Sequence, residues 1–301
     1  MTQAQTRQAL KDAYLIDFPS DLFAFWEFTK SFGAEEPLLT FNEATGICLE
    51  GPFAILAAET AAPAGGWYLD ARYYDDPPEF ITIFSGDTDG LHWGYWLDDP
   101  DNSPNACVAN YFSRDAYEIW EDGRTLFETF RLRLESLHET TLEYLEEEET
   151  SEEDKASYQE DLETYAGLRS RLMRYATGDR PEIGQEYTDE YPISSRDIAA
   201  ETHERMGIVV PEALYRPLSI GDEELRAWAI AGADLSDVVA EAQRALVEGF
   251  PGTALKLGRD LWIGNERQKQ DSYRLLSSAY EALNRPTLQM LLSRIAAVRK
   301  Q

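Results

Sequence analysis

Residues 80–112 of the chain read FITIFSGDTDGLHWGYWLDDPDNSPNACVANYF. Three short apolar runs in this stretch, rich in aromatic and β-branched residues, are separated by clusters of Gly, Asp, Asn and Pro. Runs of this length bounded by turn residues are typical of β-strands joined by tight turns. Further apolar runs precede them at 46–56 and 66–74. We therefore expect a mainly antiparallel sheet over residues 38–112.

Helical patterns lie on both sides of this predicted sheet. Residues 5–17 read as a short helix, and residues 18–33 place apolar side chains at helical spacing behind a Pro-Ser-Asp start signal. Residues 113–135 return to a helical pattern. Helix, sheet and helix together predict an α+β domain over residues 1–137.

The remainder of the chain is interpreted as a connector followed by a second domain. Residues 138–164 are rich in Glu and Asp and predict an acidic helical connector, whose ordinary role is a solvated charged face. Residues 165–301 are expected to form an all-helical C-terminal domain after one short extended piece at GIVVP and YRPL. Gly, Asn or Pro residues separate five helices, expected near residues 222–232, 235–248, 252–264, 267–283 and 286–299.

The charge of the chain limits its partners. Its 301 residues include 56 acidic and 27 basic ones, for a formal net charge of −29. This argues against direct binding to nucleic acid or anionic membranes, because that affinity depends on clustered Lys and Arg. Basic protein tails are the natural complement, although such a charge also serves solubility alone. We see neither a signal peptide nor an apolar run of about 18 residues, so we expect an intracellular protein that is not secreted.

Several kinds of chemistry have no signal in the sequence. It contains no phosphate loop, dinucleotide fingerprint, zinc-protease motif or nucleophile elbow. His92, His138 and His203 lie far apart and lack companions at ligand spacing, so no metal site is predicted. Cys48 and Cys107 fall in strand-like stretches and are expected to be reduced core residues.

An acidic residue stands at an unusual place in residues 243–262, QRALVEGFPGTALKLGRDLW. The stretch reads as a helix end, a Gly turn and a new helix, which puts Glu248 at the end of the first helix. The carbonyl end of a helix carries partial negative charge, so a carboxylate is mildly disfavoured there. Upstream, residues 214–218 place Tyr215 and Arg216 before a proline, a composition common at interfaces. Taken alone, a frayed helix end and a surface arginine explain both features.

The ordered series of motifs resembles the histone PARylation factors, a family of accessory proteins of poly(ADP-ribose) polymerases. FPSDLFAFWEF, GICLEGPFAIL, YYDDPPEF and LHWGYWLDDPDNSP are similar to the family's N-terminal motifs, with one additional Asp in the third. GIVVP with the following YR, and LKLGRDLW, are similar to its C-terminal motifs. The diproline motif is fairly specific, and the colinear series is much more so. The acidic connector has no counterpart among these motifs.

This resemblance implies an N-terminal domain of the SUKH (Smi1/Knr4) class and a helical C-terminal domain. It implies docking on a poly(ADP-ribose) polymerase-type ADP-ribosyltransferase, whose active site the chain completes so that serine accepts ADP-ribose. The family's glutamate, seven residues before its Leu-x-Leu-Gly segment, maps to Glu248 as general base, and its partner-binding Tyr-Arg pair maps to Tyr215 and Arg216. NAD is then bound by the partner enzyme. The chain itself is expected to be a monomer without its own cofactor, contributing to catalysis without being an autonomous enzyme.

The sequence departs from the family pattern beside Glu248. The preceding residue is an aspartate in the family and Val247 here, which removes a second acid from the expected site. The long basic N-terminal extension of animal members is missing, which favours a prokaryotic or minimal homologue. Its location would be cytoplasmic in a prokaryote and nuclear in a eukaryote, and basic tails such as those of histones are candidate substrates. Two other interpretations stay open: a SUKH-like acidic immunity or binding protein without a catalytic role, and a scaffold whose helical domain presents a groove.

Overall fold

The computed structural model describes residues 2–58, 63, 66–86, 90–112, 118–147, 151–175 and 196–299. The chain divides into two compact units. Unit 1 combines Met1–Pro19, Cys48–Glu121 and Ser195–Gln301, and unit 2 combines Ser20–Ile47 and Asp122–Ser194. Each unit is therefore built from segments that are distant in sequence. A division into compact units does not establish which segments fold independently. The predicted boundaries of the connector, after residues 137 and 164, therefore stay a prediction.

The sheet has five strands in chain order: β1 (Cys48–Leu49), β2 (Phe80–Ser85), β3 (Leu91–Asp99), β4 (Ser103–Phe112) and β5 (Ile119–Gly123). Strand β1 pairs with β2, β2 with β3, and β3 with β4, each time antiparallel. Strands β2, β3 and β4 correspond to the three apolar runs of residues 80–112. The predicted antiparallel sheet and the α+β class are therefore confirmed.

Close packing across β2 and β3 depends on one glycine. A Cβ atom on Gly94 would lie 2.5 Å from the Phe80 ring on the neighbouring strand, so only glycine leaves room for that ring. Phe80 in turn belongs to a buried cluster with Trp96, Tyr111 and Met206. Met206 comes from the C-terminal segment, which shows that unit 1 has one core shared by the sheet and that segment.

Three short helices occupy parts of the region predicted to be sheet. They are α3 (Pro37–Thr45), α4 (Pro52–Leu56) and α5 (Trp67–Asp70). Proline stands in the first turn of α3 and of α4, where its fixed φ favours a helix start. Short apolar runs are compatible with either a strand or a buried helix, and here the helix forms. The prediction of strands at PFAIL and GWYLD is therefore wrong.

The helix predicted over residues 113–135 is also wrong in its first half. Residues 113–117 lie outside the described residues, and Ile119–Gly123 form strand β5. Helix α6 (Leu126–Glu146) begins only after this strand. The side chain of Thr125 accepts a hydrogen bond from the N–H of Glu128 at 3.2 Å, and this N-cap sets the helix start.

Unit 2 contains α2 (Ser20–Lys30), α3, α6 and α7 (Glu152–Met173). The Phe25 ring of α2 lies at its centre. Its centroid is 5.1–5.9 Å from those of four rings in α2, α3 and α6: Phe28, Phe41, Phe127 and Phe130. Where it is described, the stretch predicted as an acidic connector is helical except at Glu147 and Ser151, which are extended. Residues 138–146 form the end of α6, and residues 152–164 form the first part of α7. Three acidic residues stand in the first turn of α7, where the helix dipole favours them.

The C-terminal part of unit 1 is mostly helical. Its helices follow the prediction to within a few residues: α8 (Asp222–Ile230), α9 (Ser236–Val247), α10 (Pro251–Asp260), α11 (Glu266–Ala282) and α12 (Pro286–Arg299). A two-stranded antiparallel sheet of β6 (Ile198–Ala200) and β7 (Ile208–Val209) precedes them, which corrects the expectation of an all-helical domain. Every residue of α10 is buried, and α10 packs against both α9 and α11. Helix α10 is therefore the central helix of this part.

Helix α1 (Gln3–Tyr14) also belongs to unit 1 and confirms the first predicted helix. The sequence predicts both cysteines in the core: Cys107 is buried in β4, which confirms the prediction, whereas Cys48 is exposed in β1, so the prediction is wrong there. Among the described residues, no helix is both long enough and apolar enough to cross a membrane.

Candidate functional site

Glu248 lies directly after helix α9. The last helical residue is Val247, and the N–H of Glu248 donates a hydrogen bond to the carbonyl of Arg244 at 3.0 Å. Gly249 follows with a φ of +95°, a left-handed conformation that glycine adopts without strain, and the chain turns there into α10. The Glu248 side chain is 52% exposed. The carboxylate therefore stands at the surface of a helix end, as the sequence predicts.

Arg216 contacts Glu248 directly. The Arg216 Nη1 atom lies 2.7 Å from Glu248 Oε2, and the two side chains are 43% and 52% exposed. The guanidinium offsets the repulsion between the carboxylate and the carbonyl end of α9. An ion pair this exposed contributes only about 0.2–1 kcal/mol to stability. Its position matters more than its energy, because it brings a base and a cation together on one accessible surface.

Tyr215 lies beside α10. Its side chain is half-buried, and burial raises the pKa of the phenol, against a lowering effect of Lys256. Asp222 and Asp260 raise the same pKa further. Tyr215 is thus a neutral hydroxyl next to the charged cluster of Lys256, Asp222 and Asp260, whereas Arg216 points to Glu248.

Three residues that the sequence did not single out hold Arg216 in place. The guanidinium carbon of Arg216 lies 4.6 Å from the centroid of the Phe250 ring. The Thr253 side chain bonds the main chain of Arg216 on both sides. A Cβ on Gly252 would lie 2.9 Å from the carbonyl oxygen of Leu214, so the missing side chain lets the Tyr-Arg segment approach α10. A pattern-based search has no signal for these contacts, since they join residues more than 30 positions apart.

Val247 is 88% exposed and precedes Glu248 in the chain. An apolar side chain therefore stands on the surface beside the carboxylate, at the position where the sequence comparison with the family expects an aspartate. The candidate site carries one acid and one apolar neighbour.

The diproline motif is structural. The buried carboxylate of Asp76 accepts hydrogen bonds from the Tyr73 N–H and the Thr82 hydroxyl, each at 3.0 Å, and pairs with His92 Nε2 at 2.8 Å. His92 is fully buried, with its ring stacked on that of Tyr73 at a centroid distance of 3.8 Å. Within the described ranges, no group of three or more His, Cys, Asp and Glu side chains has a metal-binding arrangement. The motif therefore stabilises the turn that precedes strand β2.

Glu79, at the end of the same motif, belongs to a buried ion cluster with Arg259 of α10. Arg259 Nη1 lies 3.4 Å from Glu79 Oε1, and the same guanidinium contacts the carboxylate of Glu204. Burial alone lowers the pKa of Arg259, but the carboxylates of Glu204 and Glu79 reverse this effect and raise it, so the guanidinium stays charged. The Tyr280 hydroxyl donates to Glu79 Oε1 at 2.6 Å. This cluster anchors the C-terminal half of α10, while the N-terminal half holds the candidate site.

Comparison with known proteins places the chain. A family model described as histone PARylation factor 1 matches residues 5–299. The chain belongs to the histone PARylation factor 1 family. Histone PARylation factor 1 of Mus musculus and that of Bos taurus are each 26% identical over 303 residues, which cover 93% of this chain and 82% of the relative. Histone PARylation factor 1 of Danio rerio is 32% identical over 126 residues, which cover 41% of this chain and 36% of the relative.

Membership in the histone PARylation factor 1 family confirms the resemblance drawn from the motifs. The matched range includes the acidic stretch 138–164, which those motifs do not reach. It also includes Tyr215, Arg216 and Glu248, so the whole candidate site lies within the part that is similar to histone PARylation factor 1.

Proposed function

We propose that the protein is a histone PARylation accessory factor that binds a poly(ADP-ribose) polymerase-type ADP-ribosyltransferase and completes its active site. In this proposal Glu248 is the general base for serine ADP-ribosylation. The observation that supports it best is the half-exposed Glu248 carboxylate at the end of α9, 2.7 Å from Arg216. Membership in the histone PARylation factor 1 family supports the choice of partner.

The proposed reaction calls for a base close to the serine hydroxyl. A serine hydroxyl is a weak nucleophile at neutral pH, and a positioned carboxylate accelerates its attack by accepting its proton. The serine oxygen forms a bond to the anomeric carbon of the NAD ribose, the bond to nicotinamide breaks, and the serine proton passes to Glu248. The partner enzyme binds the NAD, and this chain supplies the carboxylate. A base at an exposed helix end is accessible to a docked enzyme without movement of the fold.

The remaining parts of the surface fit docking. Arg216 keeps four-tenths of its side chain exposed, and a neutral Tyr215 hydroxyl stands next to it in the chain. Arg216 is then shared between Glu248 and the partner transferase. The net charge of −29 favours basic substrate tails over nucleic acid. We also assign the N-terminal α+β part to the SUKH class, an assignment that rests on the motif resemblance.

The catalytic role is tested by Glu248→Gln. The full chain is mixed with a poly(ADP-ribose) polymerase from the same source and NAD, and acceptor residues are mapped by mass spectrometry. We expect the serine-modification rate to fall by about 10²–10⁴-fold, the range for loss of a general base, with complex formation retained. Asp234→Asn is the matched control, because Asp234 is also a surface carboxylate paired with an arginine, just before α9, with 63% of its side chain exposed against 52% for Glu248. Undiminished serine modification by a complex that still forms would show that Glu248 is not the base.

The docking role is tested by Arg216→Ala. We expect weaker association with the same polymerase, measured by titration calorimetry. The control is Arg267→Ala, which removes another surface arginine, the one paired with Asp234. Unchanged affinity of Arg216→Ala would count against docking through this residue. If both Arg216→Ala and Glu248→Gln are without effect, an acidic SUKH-like binding protein becomes the better interpretation.

A further inference from the structure

The segment Gly249–Thr253 links Glu248 and Arg216 of the candidate site: it follows Glu248 in the chain and ends at Thr253, which bonds the main chain of Arg216. It leaves Glu248 through the left-handed Gly249 and enters α10 through Pro251, which stands in the first helical turn. Every residue of α10 is buried. The buried first turn of α10 is therefore a fixed frame, that is, a packed segment that cannot easily move, and it lies only a few residues after Glu248 in the chain.

Thr253, in this first turn of α10, makes two hydrogen bonds to the main chain of Arg216. The N–H of Arg216 donates to Thr253 Oγ1 at 3.1 Å, and the Thr253 hydroxyl donates back to the Arg216 carbonyl at 2.6 Å. One hydroxyl therefore satisfies both main-chain groups of Arg216, in the way that a neighbouring strand would. Thr253 is 1% exposed, so the hydroxyl has no freedom to leave this contact for bulk water.

The contact fixes the direction of the arginine side chain. With its main chain held by Thr253, Arg216 extends its guanidinium over the Phe250 ring and reaches Glu248 at 2.7 Å. Phe250, Thr253 and Glu248 all belong to one short stretch of chain, so the arginine is held from that stretch at three points. A side chain as flexible as arginine loses rotamer entropy when it is fixed, and a preformed contact lowers the share of that entropy that is lost on docking.

We propose that Thr253 is a positioning residue for the reaction, acting through Arg216. It sets the Arg216 main chain so that the guanidinium stands against Glu248 and faces the docked transferase. This inference rests on the proposed function, because it assigns the device that prepares the Arg216–Glu248 pair for docking. It concerns a residue that touches neither substrate nor partner.

The test compares Thr253→Val with Thr253→Ser. Valine has the shape of threonine and removes both hydrogen bonds, whereas serine keeps the hydroxyl. We expect Thr253→Val to weaken binding to the full-length polymerase about tenfold, the equivalent of about 1.4 kcal/mol, and Thr253→Ser to stay within about twofold of the wild type. Ser272→Ala is the control for a general loss of stability, since Ser272 of α11 is buried and donates a hydrogen bond to the carbonyl of Gly258 in α10, the helix that carries Thr253. It should leave the affinity unchanged.

Two readouts separate positioning from mere structural support. In the free protein, hydrogen exchange of the Arg216 amide should accelerate at least about tenfold in Thr253→Val, because that amide loses its acceptor. In an Arg216→Ala background, adding Thr253→Val should have no further effect on affinity, since residues that act through one another are non-additive. A full additional effect in that background, or wild-type affinity of Thr253→Val, would overturn the proposal. Glu248→Gln decides the proposed function separately: it can abolish serine modification while Thr253→Val has no effect, and then only the positioning role fails.

Discussion

Replacing Arg259 by methionine would show how strongly the buried ion cluster anchors α10. Arg259 is 4% exposed, and its guanidinium contacts Glu79 and Glu204 and lies 4.4 Å from the Trp96 ring centroid. Methionine keeps an unbranched apolar chain against Trp96 but removes the charge. The variant therefore leaves two buried carboxylates without their shared cation.

The structure bounds the size of the effect. Removing one partner of a buried ion pair costs about 3–5 kcal/mol. Each carboxylate keeps one hydroxyl donor, from Tyr280 at 2.6 Å for Glu79 and from Thr202 at 2.5 Å for Glu204. Burial raises the pKa of Tyr280, so its hydroxyl stays a donor. Although two carboxylates lose their cation, we therefore expect the free energy of unfolding to fall by an amount within that range and not by twice as much. At about 2–4 °C per kcal/mol, this corresponds to a fall in Tm of roughly 6–20 °C.

Urea unfolding followed by tryptophan fluorescence measures this loss. The control is Arg267→Met, whose ion pair with Asp234 is 62% and 63% exposed, so solvent screens the pair and its loss should change stability little. A loss in the free energy of unfolding below about 1 kcal/mol would refute the reasoning.

Two further predictions concern packing and thiol chemistry. Gly252→Ala places a Cβ 2.9 Å from both the Leu214 carbonyl oxygen and a Val210 methyl group, so we expect a loss of about 1–3 kcal/mol in thermal unfolding and weaker partner binding. Its control is Gly167→Ala in α7, whose added Cβ meets no described atom within 4 Å, so this variant should gain up to about 1 kcal/mol of stability. If Gly252→Ala left stability unchanged, the close approach of Leu214 to α10 would be contradicted. Burial raises the pKa of the Cys107 thiol and keeps it protonated, whereas Cys48 is exposed. The native protein should therefore react at one thiol and the unfolded protein at two, and rapid modification of Cys107 in the native state would contradict the structure.

Local signals explain which elements the sequence could predict. Strands β2, β3 and β4 alternate with turn residues, and helices α10 and α12 begin at prolines, so each has its own start and stop. Strand β5 has no such signal: its IWEDG sequence is half polar, and it is a strand because it adds to the edge of an existing sheet. Helices α4 and α5 are short apolar runs whose form depends on what they pack against.

The sequence by itself determined the family and, by colinearity with its motifs, the residues to examine: Glu248, Tyr215 and Arg216. It also determined that Glu248 stands at a helix end, since the Gly-Phe-Pro-Gly run that follows is a local stop-and-start signal. Only the tertiary structure decided that Arg216 pairs with Glu248 while Tyr215 lies by α10. Those contacts depend on Thr253 and on the buried frame of α10, and residues more than 30 positions apart meet only when that packing is complete.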